Sequence, residues 1–130
     1  MVIVLYDDEC GFCRWALAWA LKRDRDHALT IAPIQSSKGE QLLADLEPAK
    51  RLRSVHVVHD DGHRESGGAA TRAVLETLPS AHLLTRLAGV SPRLTEFGYR
   101  LIANHRSRLS RLVPKAAKQR ADELVASRER

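Results

Sequence analysis

The chain begins with a continuous apolar run, Val2-Ile3-Val4-Leu5-Tyr6, rich in β-branched residues. A run without polar alternation predicts a strand buried on both faces. From about Cys10 to Arg23 the spacing becomes that of a helix. Cys13, Ala16, Leu17, Ala20 and Leu21 share one face, and Phe12, Trp15 and Trp19 form a second stripe beside it. Only Arg14, Ala18 and Lys22 remain for a narrow exposed strip, so two sides of this helix are expected to be covered. Leu29 to Ile34 reads as a second strand. Pro33 suits an edge position there, because proline cannot donate to the ladder. Ser37-Lys38-Gly39-Glu40 has the capping-box pattern and starts a helix through about Leu46, stopped before Pro48.

Ser54 to His59 is expected as a third strand. Asp60-Asp61-Gly62 supplies a hairpin turn, and His63 to Ser66 returns as a fourth. Ser66-Gly67-Gly68 leads into a helix from about Ala69 to Leu78. A short helix near 81–87 and a longer one follow. The longer one has Ser91 as N-cap and Pro92 at its first position. Leu94, Phe97, Leu101, Ile102, His105, Leu109 and Leu112 give it an apolar stripe, expected to pack over the aromatic stripe of the first helix. The opening strand–helix–strand unit requires a parallel crossover, and the hairpin adds antiparallel strands. The fold is therefore expected to be α/β: a thioredoxin-like four-stranded mixed sheet with flanking helices and a helical C-terminal extension.

At 130 residues, 44% hydrophobic and 28% charged, the composition is that of a soluble globular chain. Residues 1–114 are expected to form one domain that includes the C-terminal helix. Residues 115–130 are expected to be a polar, basic, flexible tail, helix-prone but frayed. No run of about 18 apolar residues predicts a membrane span, and the N-terminus lacks the features of a signal peptide. The expected compartment is the cytoplasm. The net charge of +5 is uneven: residues 92–130 hold ten basic and four acidic side chains, whereas the first 91 are nearly balanced. The basic helix could meet nucleic acid or an anionic surface. Its clear apolar stripe and lack of interleaved aromatics favour a solvated outer face, so there is no strong nucleic-acid signal.

Cys10 and Cys13 are the two cysteines of the chain and stand where the first strand meets the first helix. A C-x-x-C in that position is the layout of a redox-active disulfide. Helix-terminal N–H groups and the helix dipole favour a thiolate at Cys10. Asp7, Asp8 and Glu9 act against it by adding negative charge. Cys10 is thus the candidate nucleophile, and Cys13, one turn on, the candidate resolving thiol. Asp7 is read either as general base for Cys13 or as a turn and capping residue. The alternative for the same cysteines is non-enzymatic binding of a metal or an iron–sulfur cluster. His59 and His63 have ligand-like spacing, but they flank a tight turn and read as a cross-strand surface pair. No metal or organic cofactor is expected.

The motif resembles that of the DCC family of thiol-disulfide oxidoreductase-like proteins, named for D-x-x-C-x-x-C, here Asp7, Cys10 and Cys13. The resemblance extends to Ala-Pro-Ile-Gln at 32–35, to the Ser54–Val58 strand, to Ser-Gly-Gly-Ala before the third helix and to Tyr99–Arg106. It implies thiol–disulfide exchange. The chain departs from thioredoxin and glutaredoxin in one respect: no proline precedes the third strand, and Ser54 is expected in the place of their cis-proline. Gly11 and Phe12 lie between the cysteines, where this fold class sets its redox potential, and Phe12 could dock a partner. Ser66 and Gly67, with Gly68, offer either plain capping or a seat for a carboxylate such as that of glutathione. The expected partner is a disulfide-containing protein or a small thiol such as glutathione.

Overall fold

The computed structural model describes residues 2–78, 86 and 92–129. The first apolar run forms β1 (Val2–Tyr6), which continues through the cysteine loop into α1 (Gly11–Arg23) and then β2 (Leu29–Pro33). α2 (Ser37–Leu42) and α3 (Pro48–Arg51) follow, then β3 (His56–His59), β4 (Arg64–Ser66) and α4 (Gly68–Glu76). The chain ends in α5 (Pro92–Asn104), α6 (Arg106–Leu112) and α7 (Lys115–Glu129).

The four strands make one mixed sheet in the order β2-β1-β3-β4. The α1 crossover sets β1 parallel to β2, from Val2 opposite Leu29 to Tyr6 opposite Pro33. β3 runs antiparallel to β1, with Val2 opposite His59 and Leu5 opposite His56. As expected for its proline, β2 is an edge strand. β1 is central and splits its side chains by the two-residue period. Val2, Val4 and Tyr6 meet Leu17, Leu21 and Val57 on the α1 face, whereas Leu5 meets Ile34, Leu43 and Val58 on the other. The expected α/β sheet is therefore what the chain builds.

Local chemistry shifts two of the expected boundaries. The cap of α2 is Ser36, not Ser37: its Oγ accepts the Gly39 N–H at 3.1 Å. Gly39 lets α2 sit against the end of β2, since a Cβ there would lie 2.4 Å from the Ile34 carbonyl oxygen. Pro48, expected to follow a helix, instead opens α3 from its first turn.

The largest differences lie at the C-terminus. Residues 115–129, expected as a helix-prone but frayed tail, form α7, which is docked on α1 and β2. Its own Ala121 and Val125 are buried in that contact. Arg128 donates to Asp24 Oδ2 at 2.7 Å and to the Leu29 carbonyl at 2.9 Å. Asp24 is fully buried and also accepts the N–H groups of Ala28 and Leu29. Ala18, expected on the exposed strip of α1, is consequently buried. The long C-terminal helix is also broken, with His105 standing between α5 and α6. Leu94, Phe97 and Leu101 of its expected core stripe face outward and are 52–70% exposed. The polar side of α5 docks instead, through Glu96 and Tyr99 as described below. The helix expected near 81–87 lies largely outside the described residues.

Candidate active site

Cys10 is the N-cap of α1, with extended backbone angles (φ −95°, ψ 108°), and its Sγ accepts the Cys13 N–H at 3.3 Å. The sulfur therefore meets one of the four N–H groups that a helix start leaves without an intrahelical partner. There the helix dipole and the donated hydrogen bond both stabilise the anion over the thiol. Both cysteines are half-buried, and no disulfide joins them. Gly11 and Phe12 begin the helix between them.

The loop before Cys10 is latched from two sides. Asp7 accepts the Cys10 N–H on its carbonyl at 3.3 Å. Its Oδ1 accepts the Glu9 N–H at 3.0 Å and the Gln35 amide at 2.8 Å. Gln35 Oε1 in turn accepts the Asp8 N–H at 3.1 Å. Of the two roles open to Asp7, turn capping is thus seen directly in its hydrogen bonds. On the other side, Arg14 Nη1 donates to Asp8 Oδ1 at 2.6 Å, and Arg14 Nε lies 2.8 Å from Asp122 Oδ1 of α7. None of Gln35, Arg14 and Asp122 was given a part in the site from the sequence, and Arg14, expected on the exposed strip of α1, is largely covered. Gln35 could have been found in the Ala-Pro-Ile-Gln stretch, but Asp122 carried no signal.

A cavity of about 250 Å³ opens beside Cys13. Cys13, Asp7, Phe12 and Ser54 border it, with Trp19 and Leu17 of α1, Val74 of α4 and Tyr99 of α5. Phe12 also packs on Trp15, ring centroids 5.9 Å apart. Ser54 and Cys13 thus line the same cavity, but the backbone that follows Ser54 is already engaged. The Val55 N–H donates to Tyr99 Oη at 2.8 Å, and the Val55 carbonyl accepts the Gly67 N–H at 3.0 Å. Among the described residues no peptide bond is cis.

Ser66 and Gly67 are not brought to this cavity. Ser66 Oγ lies 2.6 Å from His56 Nδ1, and His56 Nε2 lies 2.9 Å from the Arg51 carbonyl oxygen. That pairing makes Nε2 the donor and Nδ1 the acceptor of the serine proton. Burial pushes the His56 pKa down, which agrees with a neutral ring. The seat offered by the double glycine is filled by the chain itself: Gly68 N–H donates to Glu96 Oε2 at 2.8 Å. A Cβ on Gly68 would lie 2.6 Å from that oxygen and 2.9 Å from Glu96 Cα. Gly67 takes a left-handed conformation, φ +66°. The glycines thus admit Glu96 as the cap of α4, and the carboxylate seat proposed for glutathione is taken.

His59 stands opposite Val2, at the far end of β1 from Tyr6 and the cysteine loop. The two histidines of the hairpin and the two cysteines consequently do not form one site. No helix among the described residues is long and apolar enough to cross a membrane. Neither the curated proteins nor the solved structures contain a match to the chain. Residues 4–112 match the DCC1-like thiol-disulfide oxidoreductase family, a span that runs from β1 to the end of α6 and takes in both cysteines, Asp7 and Gln35. The chain belongs to the DCC1-like thiol-disulfide oxidoreductase family.

Proposed function

We propose that the protein exchanges disulfides through Cys10 and Cys13, with Cys10 as the attacking thiolate. The observation that carries this reading is the position of Cys10 Sγ at the start of α1, accepting the Cys13 N–H. The Cys10 thiolate attacks one sulfur of a substrate disulfide, whose S–S bond breaks and releases one substrate thiolate. Cys13 then attacks Cys10 Sγ and releases the second. The Cys10–Cys13 pair is left oxidised, and the substrate has gained two electrons and two protons. Asp7 and Cys13 border the same cavity, which supports Asp7 as the acceptor of the Cys13 proton before it passes to the leaving thiolate.

The substrate that fits best is a protein or peptide disulfide flanked by an apolar side chain. The cavity beside Cys13 is walled by Phe12, Leu17, Trp19 and Val74, and Gly11 leaves the approach to Cys10 without a side chain. Glu96 already holds the helix terminus that a glutathione carboxylate would need. Cys13→Ser tests the mechanism with a model peptide disulfide. It is expected to accumulate a mixed disulfide at Cys10, seen by intact mass, which Cys10→Ser does not form. Phe12→Ala is expected to raise KM for a peptide with a bulky apolar neighbour more than for one with a charged neighbour. A mixed disulfide that forms equally well at Cys13 would sink the assignment of roles.

A further inference from the structure

We infer that the β3–β4 hairpin carries a second site, a binding site for a divalent cation of the zinc type held by His59, His63 and Glu65. It goes beyond the dithiol chemistry and lies at the other end of the sheet. Glu65 stands opposite Val57 in the ladder, so the two-residue period brings His59, His63 and Glu65 to one face. The backbone holding them is fixed. His59 N–H donates to the His63 carbonyl at 2.8 Å, and Gly62 N–H donates to the His59 carbonyl at 2.9 Å. Gly62 supplies the left-handed step of the loop (φ +86°), and Asp61 Oδ1 accepts the His63 N–H at 2.9 Å.

The donor atoms are already gathered. His59 Nε2 lies 2.8 Å from Glu65 Oε2, and His63 Nε2 lies 3.9 Å from Glu65 Oε1. One donor atom from each of the three residues falls within 4.8 Å of the other two. Zinc bonds of about 2.0–2.2 Å in a tetrahedron put ligand atoms about 3.3–3.5 Å apart. The observed separations straddle that value, so side-chain rotation without backbone movement completes the geometry. Two imidazoles and one carboxylate form a three-ligand set that leaves the fourth position to water. The site is open to solvent, with His63 60% exposed and the other two side chains about half as much. The cation takes the place of the proton between His59 and Glu65. That proton is released or moves to Nδ1, so that Nε2 presents its lone pair.

Titration calorimetry with zinc on the full chain tests this. Cys10 and Cys13 are first replaced by serine, so that the dithiol cannot bind the metal. The expected result is one zinc per chain. Loss of even an indirect partner of a metal costs about 10–100-fold in affinity. His63→Ala and Glu65→Gln are therefore each expected to weaken binding by more than about tenfold. His105→Ala, on α5–α6, is expected to leave it unchanged. Zinc is also expected to shift the imidazole resonances of His59 and His63 and not that of His105. Absence of zinc binding overturns the proposal. So does equal affinity in folded His63→Ala and Glu65→Gln chains, or a loss with His105→Ala as large as theirs.

Discussion

Replacing Arg128 by alanine is expected to undo the docking of α7. Arg128 reaches Asp24 Oδ2 at 2.7 Å, and the two side chains are 17% and 0% exposed. Removing one partner of a buried ion pair leaves the other charge uncompensated, which typically costs about 3–5 kcal/mol. Asp24 keeps the N–H groups of Ala28 and Leu29, so the lower end, about 3 kcal/mol, is expected. For a chain of this size each kcal/mol moves Tm by about 3–5 °C, giving a fall of about 10–15 °C. The pH dependence gives a second reading. Burial alone would raise the Asp24 pKa, but the Arg128 hydrogen bond and the two backbone N–H groups outweigh it and hold the pKa below the usual carboxylate value. A depressed carboxylate contributes stability above its unfolded pKa and loses it as pH falls through the folded one. The parent is therefore expected to lose more stability than Arg128→Ala on acidification below about pH 4. Thermal unfolding followed by far-ultraviolet circular dichroism measures both. A Tm within about 2 °C of the parent at neutral pH would refute the reasoning.

Gly68→Ala would place a Cβ 2.6 Å from Glu96 Oε2. It is expected to destabilise by about 1–3 kcal/mol, read from the urea midpoint. Tyr99→Phe removes the acceptor of the Val55 N–H and is expected to cost about 1–3 kcal/mol, with faster amide exchange at Val55 as its local signature. Burial keeps the His56 pKa below its ordinary value, so only the unfolded chain gains that proton as pH falls through about 6.5. Stability present above that pH is lost below it, and His56→Gln is expected to flatten the loss in urea titrations at pH 7.5 and 5.5.

The elements with strong local signals were the most legible in the sequence. An unbroken β-branched run, a helical period starting at the cysteines and an Asp-Asp-Gly turn each admit few alternatives, and β1, α1 and the hairpin formed where they were expected. The strand order could be anticipated because it follows from the crossover rule, and it puts Cys13 and Ser54 on the lining of one cavity. What failed was what depends on long-range partners. α7 has few large apolar residues, and its anchor, Arg128 on Asp24, joins positions 104 residues apart. The outward stripe of α5 misled for a related reason. Apolar spacing alone favoured burying Leu94, Phe97 and Leu101, while Glu96 and Tyr99 formed the polar contacts that turned the helix the other way. The double glycine was legible as a helix start but not as a close approach, because its neighbour Glu96 lies 28 residues on.

A redox titration of the purified protein in glutathione buffers, quenched by alkylation and read by intact mass, tests the central claim most directly. The account predicts a reversible two-electron transition confined to Cys10 and Cys13, with a midpoint between about −270 and −120 mV. Thiols that never pair across that range, or a disulfide that no such buffer reduces, would contradict it.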